Sequence, residues 1–126
     1  MNWRVRGIRG ATTAEANTYG AIRAAVLELM SELEARNPSL DPHEVASATF
    51  SVTPDLDAVF PAQIARSRPN WEIVPFVDVQ HFAVSGSLPR CIRVLLHVNM
   101  LVPQQDIRHV YLRGASELRP DLVRLP

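Results

Sequence analysis

The sequence carries a single cysteine, Cys91, so no disulfide can staple the chain to itself. It has no run approaching the ~18 consecutive apolar residues of a membrane span. Nor is there an excess of charge, since thirteen basic residues balance thirteen acidic ones. That balance leaves no electrostatic footprint for nucleic acid or an anionic membrane, and a small-molecule or protein partner is the better expectation. A Walker loop, a properly placed GxGxxG, and any HxxxH or CxxC spacing are missing too. Their absence argues against nucleotide chemistry and against a metal site. No repeat, low-complexity tract or linker breaks the 126 residues, so one soluble domain spanning 1–126 is expected. The N-terminal MNWRVRGIRG is too polar for the apolar segment of a signal peptide, and a reducing cytoplasm is the expected compartment.

Organisation therefore comes from hydrophobic period, punctuated by ten prolines. Trp3 to Thr13 reads as extended, with Gly7 and Gly10 permitting a close backbone approach or a bulge. Asn17 or Thr18 can cap a helix in which Ile22, Ala25, Val26, Leu29, Met30 and Leu33 recur at helical spacing, opposite Arg23, Glu28, Glu32 and Arg36. Pro38 and Pro42 stop it, and Asp41 with Pro42 starts one short turn. ASATFSVT, residues 46–53, alternates as a strand should. PDLDAVFPAQIARSR predicts two short helical pieces around Pro61. WEIVPFVDV and PRCIRVLLHV read as strands separated by the loop AVSGSLP, and IRHVYL, Ile107 to Leu112, as a last short strand before a polar tail. Strands mixed with one long helix and short ones predict an α+β fold with helices on one face of a sheet.

Within LPRCIRVLLHVN, alternation places Cys91, Arg93, Leu95 and His97 on one strand face and Ile92, Val94, Leu96 and Val98 on the other. Only the second face is wholly apolar. Arg93 is then either a surface cation paired with a nearby carboxylate or a ligand for an anion. Arg9, in GIRGATT, sits between glycines that let backbone approach a ligand, or is a turn-flanking surface arginine. Tyr111 shares a face with His109 and offers a hydroxyl to an anion, or simply borders the core. Asp78, His81 and Cys91 lack the spacing of a metal site, and a strand cysteine is more often buried than nucleophilic. His43 and His97 have no evident partner.

The ordered pieces RGIRGATT, TPDLDAVFPA, GSLPRCIRVLLHVN, IRHVYLRGA and LRPDL extend over nearly the whole chain, which resembles the AroH class of monofunctional chorismate mutases. The resemblance implies a homotrimer with a mixed β-sheet, helices on one side, and active sites in clefts between neighbouring subunits. It implies the intramolecular Claisen rearrangement of chorismate to prephenate, the branch-point step toward phenylalanine and tyrosine, with no cofactor and no metal. Such a reaction needs the flexible enolpyruvyl arm folded over the ring and charge stabilised as the ether bond breaks.

By the same resemblance Arg93 matches the arginine that donates to the ether oxygen and a carboxylate, and Arg9 the one that binds a substrate carboxylate. Tyr111 matches the tyrosine that helps hold the enolpyruvyl carboxylate. Phe60 and Arg66 match residues supplied by the adjacent subunit, an apolar wall and part of the positive rim. Leu118 and Arg119 match a mobile C-terminal segment, about 114–126, that closes over the ligand. One stretch departs from the family pattern: ungapped, VPFVDVQHFAVSGSL puts His81 where a glutamate usually meets the ring hydroxyl and Asp78 where a cysteine often lies. Asp78 or a neutral His81 is expected to take the glutamate's role, with Asp78 favoured for its negative charge near the developing cation. Two alternatives come from other classes. One is a non-catalytic trimer that binds chorismate or an aromatic metabolite, the other an imine deaminase of related architecture.

Overall fold

The alternation around Arg93 becomes the central strand of the molecule. In the computed structural model, which describes residues 2–119, a strand β4 runs Cys91–Met100. Its buried positions are Ile92, Val94, Leu96, Val98 and Met100, while Arg93, Leu95 and His97 lie exposed. Cys91 breaks the alternation and is buried, because at the strand start its N–H is held at 2.9 Å by Thr53 Oγ1.

On one side of β4 lies β1, Arg4–Thr13, antiparallel over ten residue pairs from Arg4 opposite Met100 to Thr13 opposite Cys91. On the other lies β2, Val45–Val52, also antiparallel, with Ser51 opposite Arg93. β3, Phe76–Gln80, runs parallel to β2 on one edge, and β5, Val110–Tyr111, parallel to β1 on the other. The result is a mixed five-stranded sheet in the order β3-β2-β4-β1-β5.

Helix α1, Tyr19–Arg36, starts where Thr18 Oγ1 accepts the Ala21 N–H at 3.1 Å. Its predicted apolar stripe is the one that is buried, and with Ile8, Phe50, Ile92 and Leu96 it forms the core. Asn37 ends the helix, its N–H and its side-chain amide both donating to the Leu33 carbonyl. The short helix α2, Pro61–Ala65, packs beside α1. Both helices cover one face of the sheet, and the face bearing Arg9, Arg93, Leu95, Val77 and Val79 is left open. Among the described residues no helix is long and apolar enough to cross a membrane.

Three expected elements are shorter than their sequence pattern. Residues 71–75 are turns rather than strand, because buried Trp71 plugs the core and its indole N–H donates to Glu34 at 3.2 Å. Asn70, with φ at 74°, supplies the reversal. Of the two helical pieces around Pro61 only the second forms. Ahead of it, Asn17 Oδ1 accepts the Asp57 and Ala58 amides, so the chain is held in a loop by a residue the sequence offered as a helix cap. Ile107 to Leu112 shrinks to two paired residues, since Ile107 still closes a 3-10 turn over Gln104–Asp106. A further 3-10 turn, Arg113–Glu117, leads to Leu118 and Arg119, and the expected mobile tail from 120 onward lies outside the described residues.

Of the two glycines expected to allow close approach, only Gly10 does so. A methyl there would stand 3.0 Å from Val94 Cγ1 and 3.1 Å from Leu29 Cδ1, whereas one at Gly7 would meet nothing nearer than 3.9 Å. Gly10→Ala is expected to destabilise the fold by about 1–3 kcal/mol through overpacking. The readout is a lower urea midpoint at unchanged m value. An unchanged midpoint would mean that α1 can back away from β1.

Candidate functional site

Register, not sequence proximity, assembles the open face. Arg9 lies opposite Leu95, and Ala11 opposite Arg93 and beside Tyr111, so all of these side chains leave the same side of the sheet. Together with Thr49, Ser51, Leu118 and Arg119 they line a cleft of about 470 Å³. That lies within the ~300–1,000 Å³ typical of small-ligand sites. Three guanidiniums meet there and none of the described lining residues is acidic, so the cleft is suited to an anion.

The start of β4 aims Arg93. Arg90, just before it, has φ at 47°, a left-handed conformation that a non-glycine residue keeps only when held. It is held on three sides. Its N–H donates to Asp55 at 2.9 Å, its Nε to the Ala14 carbonyl at 3.0 Å, and its carbonyl accepts the Ala14 N–H at 2.9 Å. Asp55 is itself fixed by the Thr53 hydroxyl at 2.5 Å. Beside that same end of the sheet Arg113, φ 52°, reaches Glu28 at 3.0 Å, and Gly114 N–H reaches Thr13 Oγ1 at 3.2 Å. These contacts dock the turn that delivers Leu118 and Arg119.

The two candidates for the ring hydroxyl are separated by parity. Asp78 pairs with Phe50 and so lies on the helix side of β3, where it accepts the Ala62 N–H at 3.0 Å at the start of α2. Burial raises its pKa, partly offset by that N–H and by Arg66. His81 follows β3 on Arg93's side. Its N–H donates to the Val52 carbonyl at 2.7 Å, and its Nδ1 lies 2.6 Å from Ser51 Oγ. Burial, then the Arg93 charge, lower its pKa, and its Nε2 is enclosed with no hydrogen-bond partner among the described residues. Within one chain, then, His81 and not Asp78 shares a face with Arg93. Asp78, favoured on charge, is paired so that its carboxylate lies on the opposite face of its own sheet.

Phe60 and Asp78 instead line a second cleft, of about 680 Å³, with Tyr19, Val59, Val79 and Gln80. Phe60 is exposed at the start of α2, and Arg66 caps its other end on the surface. Burial pushes the Cys91 thiol up, against the pull of the Arg93 charge beside it, and so disfavours the thiolate. His43 and His97 do find partners, Asp41 and Ser47 respectively, each at 3.2 Å. Sequence reasoning did not single out Ser51, Thr49 or Tyr19. The alternation of ASATFSVT carried a signal for Ser51, but only pairing with β4 gives it meaning.

A family model described as chorismate mutase type I matches residues 5–122. The chain is 44% identical over 118 residues to chorismate mutase AroH of Bacillus subtilis, covering 94% of this chain and 92% of that protein. It is 47% identical to chorismate mutase AroH of Thermus thermophilus, covering 94% and 96%. A solved structure, chorismate mutase from Clostridium thermocellum, superposes with a TM-score of 0.83 at 42% identity, covering 88% of this chain and 97% of that one.

The environment of His81 predicts a neutral ring at pH 7. By NMR its titration midpoint should lie below 6.5 and move back toward it in Arg93→Ala. The unfolded chain takes up the proton first, so the stability that His81 contributes falls as pH drops from 6.5 through the lowered folded value, then levels off. A midpoint at or above 6.5 would contradict the burial of the ring.

Proposed function

The chain belongs to the chorismate mutase type I family, and from that premise we propose how its residues convert chorismate to prephenate. The observation that carries the reading is the convergence of Arg9, Arg93 and Tyr111 on one open-face cleft with no carboxylate among its described lining residues. Chorismate brings two carboxylates and an ether oxygen that gains negative charge as its C–O bond breaks. A guanidinium fork meets two acceptors at fixed separation, which suits Arg93 to the ether oxygen and a neighbouring carboxylate. Arg9 and Tyr111 hold the enolpyruvyl arm over the ring, so the reacting carbons start near bonding distance.

The ring carbon that loses its ether oxygen becomes electron-poor, and a cation at its back would oppose the reaction. A neutral His81 adds none, and we assign it the ring hydroxyl. Its enclosed Nε2 requires the imidazole to turn off Ser51 to make that contact. Asp78 falls instead with Phe60 and, near Arg66, in the half-site that one subunit presents to the next. The open sheet face and exposed Phe60, Val77, Val79 and Phe82 are apolar surface that a neighbouring copy would cover, supporting a homotrimer with composite sites. Leu118 and Arg119 close over the ligand. From its biosynthetic role we infer that the enzyme works in the cytoplasm.

The test follows loss of chorismate absorbance, then acidifies and detects phenylpyruvate derived from prephenate. Arg93→Ala should lower turnover on the order of a thousandfold, the ~3–4 kcal/mol typical of a lost preorganised donor. Arg93→Lys should also fail badly, because a point charge does not reproduce the fork. Near-normal turnover in either variant would remove Arg93 from the mechanism. Binding of chorismate without turnover in wild type would make the protein a sensor.

A further inference from the structure

β1 is ten residues long, yet β5, its partner on the outer edge, covers only Gly10 and Ala11. The edge groups before that point would be left to solvent. Side chains take them up instead. Gln104 Oε1 accepts the Gly7 N–H at 3.0 Å while its Nε2 donates to the Gly7 carbonyl at 2.8 Å. Two residues on, His109 Nδ1 accepts the Arg9 N–H at 2.9 Å, and beyond it Leu112 N–H donates to the Ala11 carbonyl at 2.9 Å. Asn37 anchors this strap from α1, donating to the Arg108 carbonyl at 2.9 Å and accepting the Arg108 N–H at 3.0 Å.

A backbone N–H can only donate, so His109 Nδ1 must be bare and any ring proton sits on Nε2. Arg9 has glycines close on either side, which leaves its backbone freer than an ordinary strand's. We propose that His109 is a positioning residue for Arg9, its neutral imidazole pinning the Arg9 amide so that the guanidinium enters the cleft in one direction. The inference rests on the reading of Arg9 as a substrate-carboxylate ligand. Protonation would set a second N–H against the Arg9 N–H and break the contact. Burial of the ring, then the charges of Arg9 and Arg119 that face it, hold its pKa below the usual 6.5, so the contact survives at neutral pH and is lost on acidification.

The experiment is steady-state kinetics on chorismate for wild type, His109→Leu and His109→Asn, with each substitution repeated in an Arg9→Ala background. His109→Leu should raise KM about tenfold and leave kcat within about twofold, as expected for a contact made equally in ground and transition states. His109→Asn places Oδ1 where Nδ1 was, so it should bring KM back near wild type. Lacking a titratable ring, it should also lessen the rise in KM expected of wild type as pH falls below 6.5, leaving the part due to His81. With Arg9 removed, His109→Leu should add nothing. An equal effect with and without Arg9 would mean a purely structural strap and overturn the proposal, as would an Asn variant no better than Leu. If Arg9→Ala itself leaves KM unchanged, the reading of Arg9 is at fault. Nitrogen NMR then decides the positioning: a bare Nδ1 coupled to the Arg9 amide supports it, and a protonated Nδ1 at pH 7 overturns it.

Discussion

Everything in the site depends on the antiparallel pairing of β1 with β4. Ten consecutive pairs fix which residues of the two strands share a face, and side-chain direction alternates with a period of two. A slip of one residue would carry Arg93 into the packing of Phe50 and Leu29 and turn Ile92 outward, so burial of the apolar face enforces the register that exposes the arginines. The same register sets Gly10 beneath α1, where Leu29 and Leu33 close over it. The helix can therefore rest against β1 one residue away from Arg9. Core packing and ligand geometry are thus consequences of one pairing, seen from opposite sides of the sheet.

One end of the pairing, where β1 finishes beside the start of β4, is where the chain departs from regular structure. At the start of β4 a left-handed Arg90 is held by Asp55 and Ala14, and at the end of β1 a left-handed Arg113 is held by Glu28 and Thr13. Each is a residue type that ordinarily avoids that conformation, and each stands just outside a segment that feeds the cleft. The outer edge of β1 is completed by Gln104 and His109 rather than by strand. Side-chain hydrogen bonds can end or resume at any residue, which lets the 102–112 segment bring Tyr111 to the cleft after only two paired positions.

Legibility in the sequence follows the range of the interaction concerned. The α1 stripe and the β4 alternation come from periods within ten to twenty residues and were readable in the chain alone. The Trp71 turn was not, because an aromatic followed by β-formers looks like strand until Glu34, thirty-seven residues away, claims the indole N–H. IRHVYL likewise reads as a strand, although Ile107 belongs to the preceding turn and His109 spends its ring on Arg9. In the site, Arg93 was conspicuous as a charge in an apolar strand. His81 and Asp78 differ by three positions, hence by opposite parity, but which of them faces Arg93 depends on where β3 pairs with β2. No local pattern contains that information.

Charge balance links these pieces into a working cleft. Arg9, Arg93 and Arg119 line one cleft whose described lining holds no acidic side chain, so an anion is favoured there. The two histidines at its margins answer to those same cations: Arg93 disfavours a proton on His81, and Arg9 with Arg119 disfavours one on His109, each adding to the cost of burial. Cation and neutral ring are therefore mutually selecting. Burial first and these cations second hold both imidazoles below their usual pKa, and uncharged imidazoles serve as hydrogen-bond acceptors where a further cation would only add repulsion. The cleft thus keeps a positive lining suited to an anion, beside groups that carry no charge of their own.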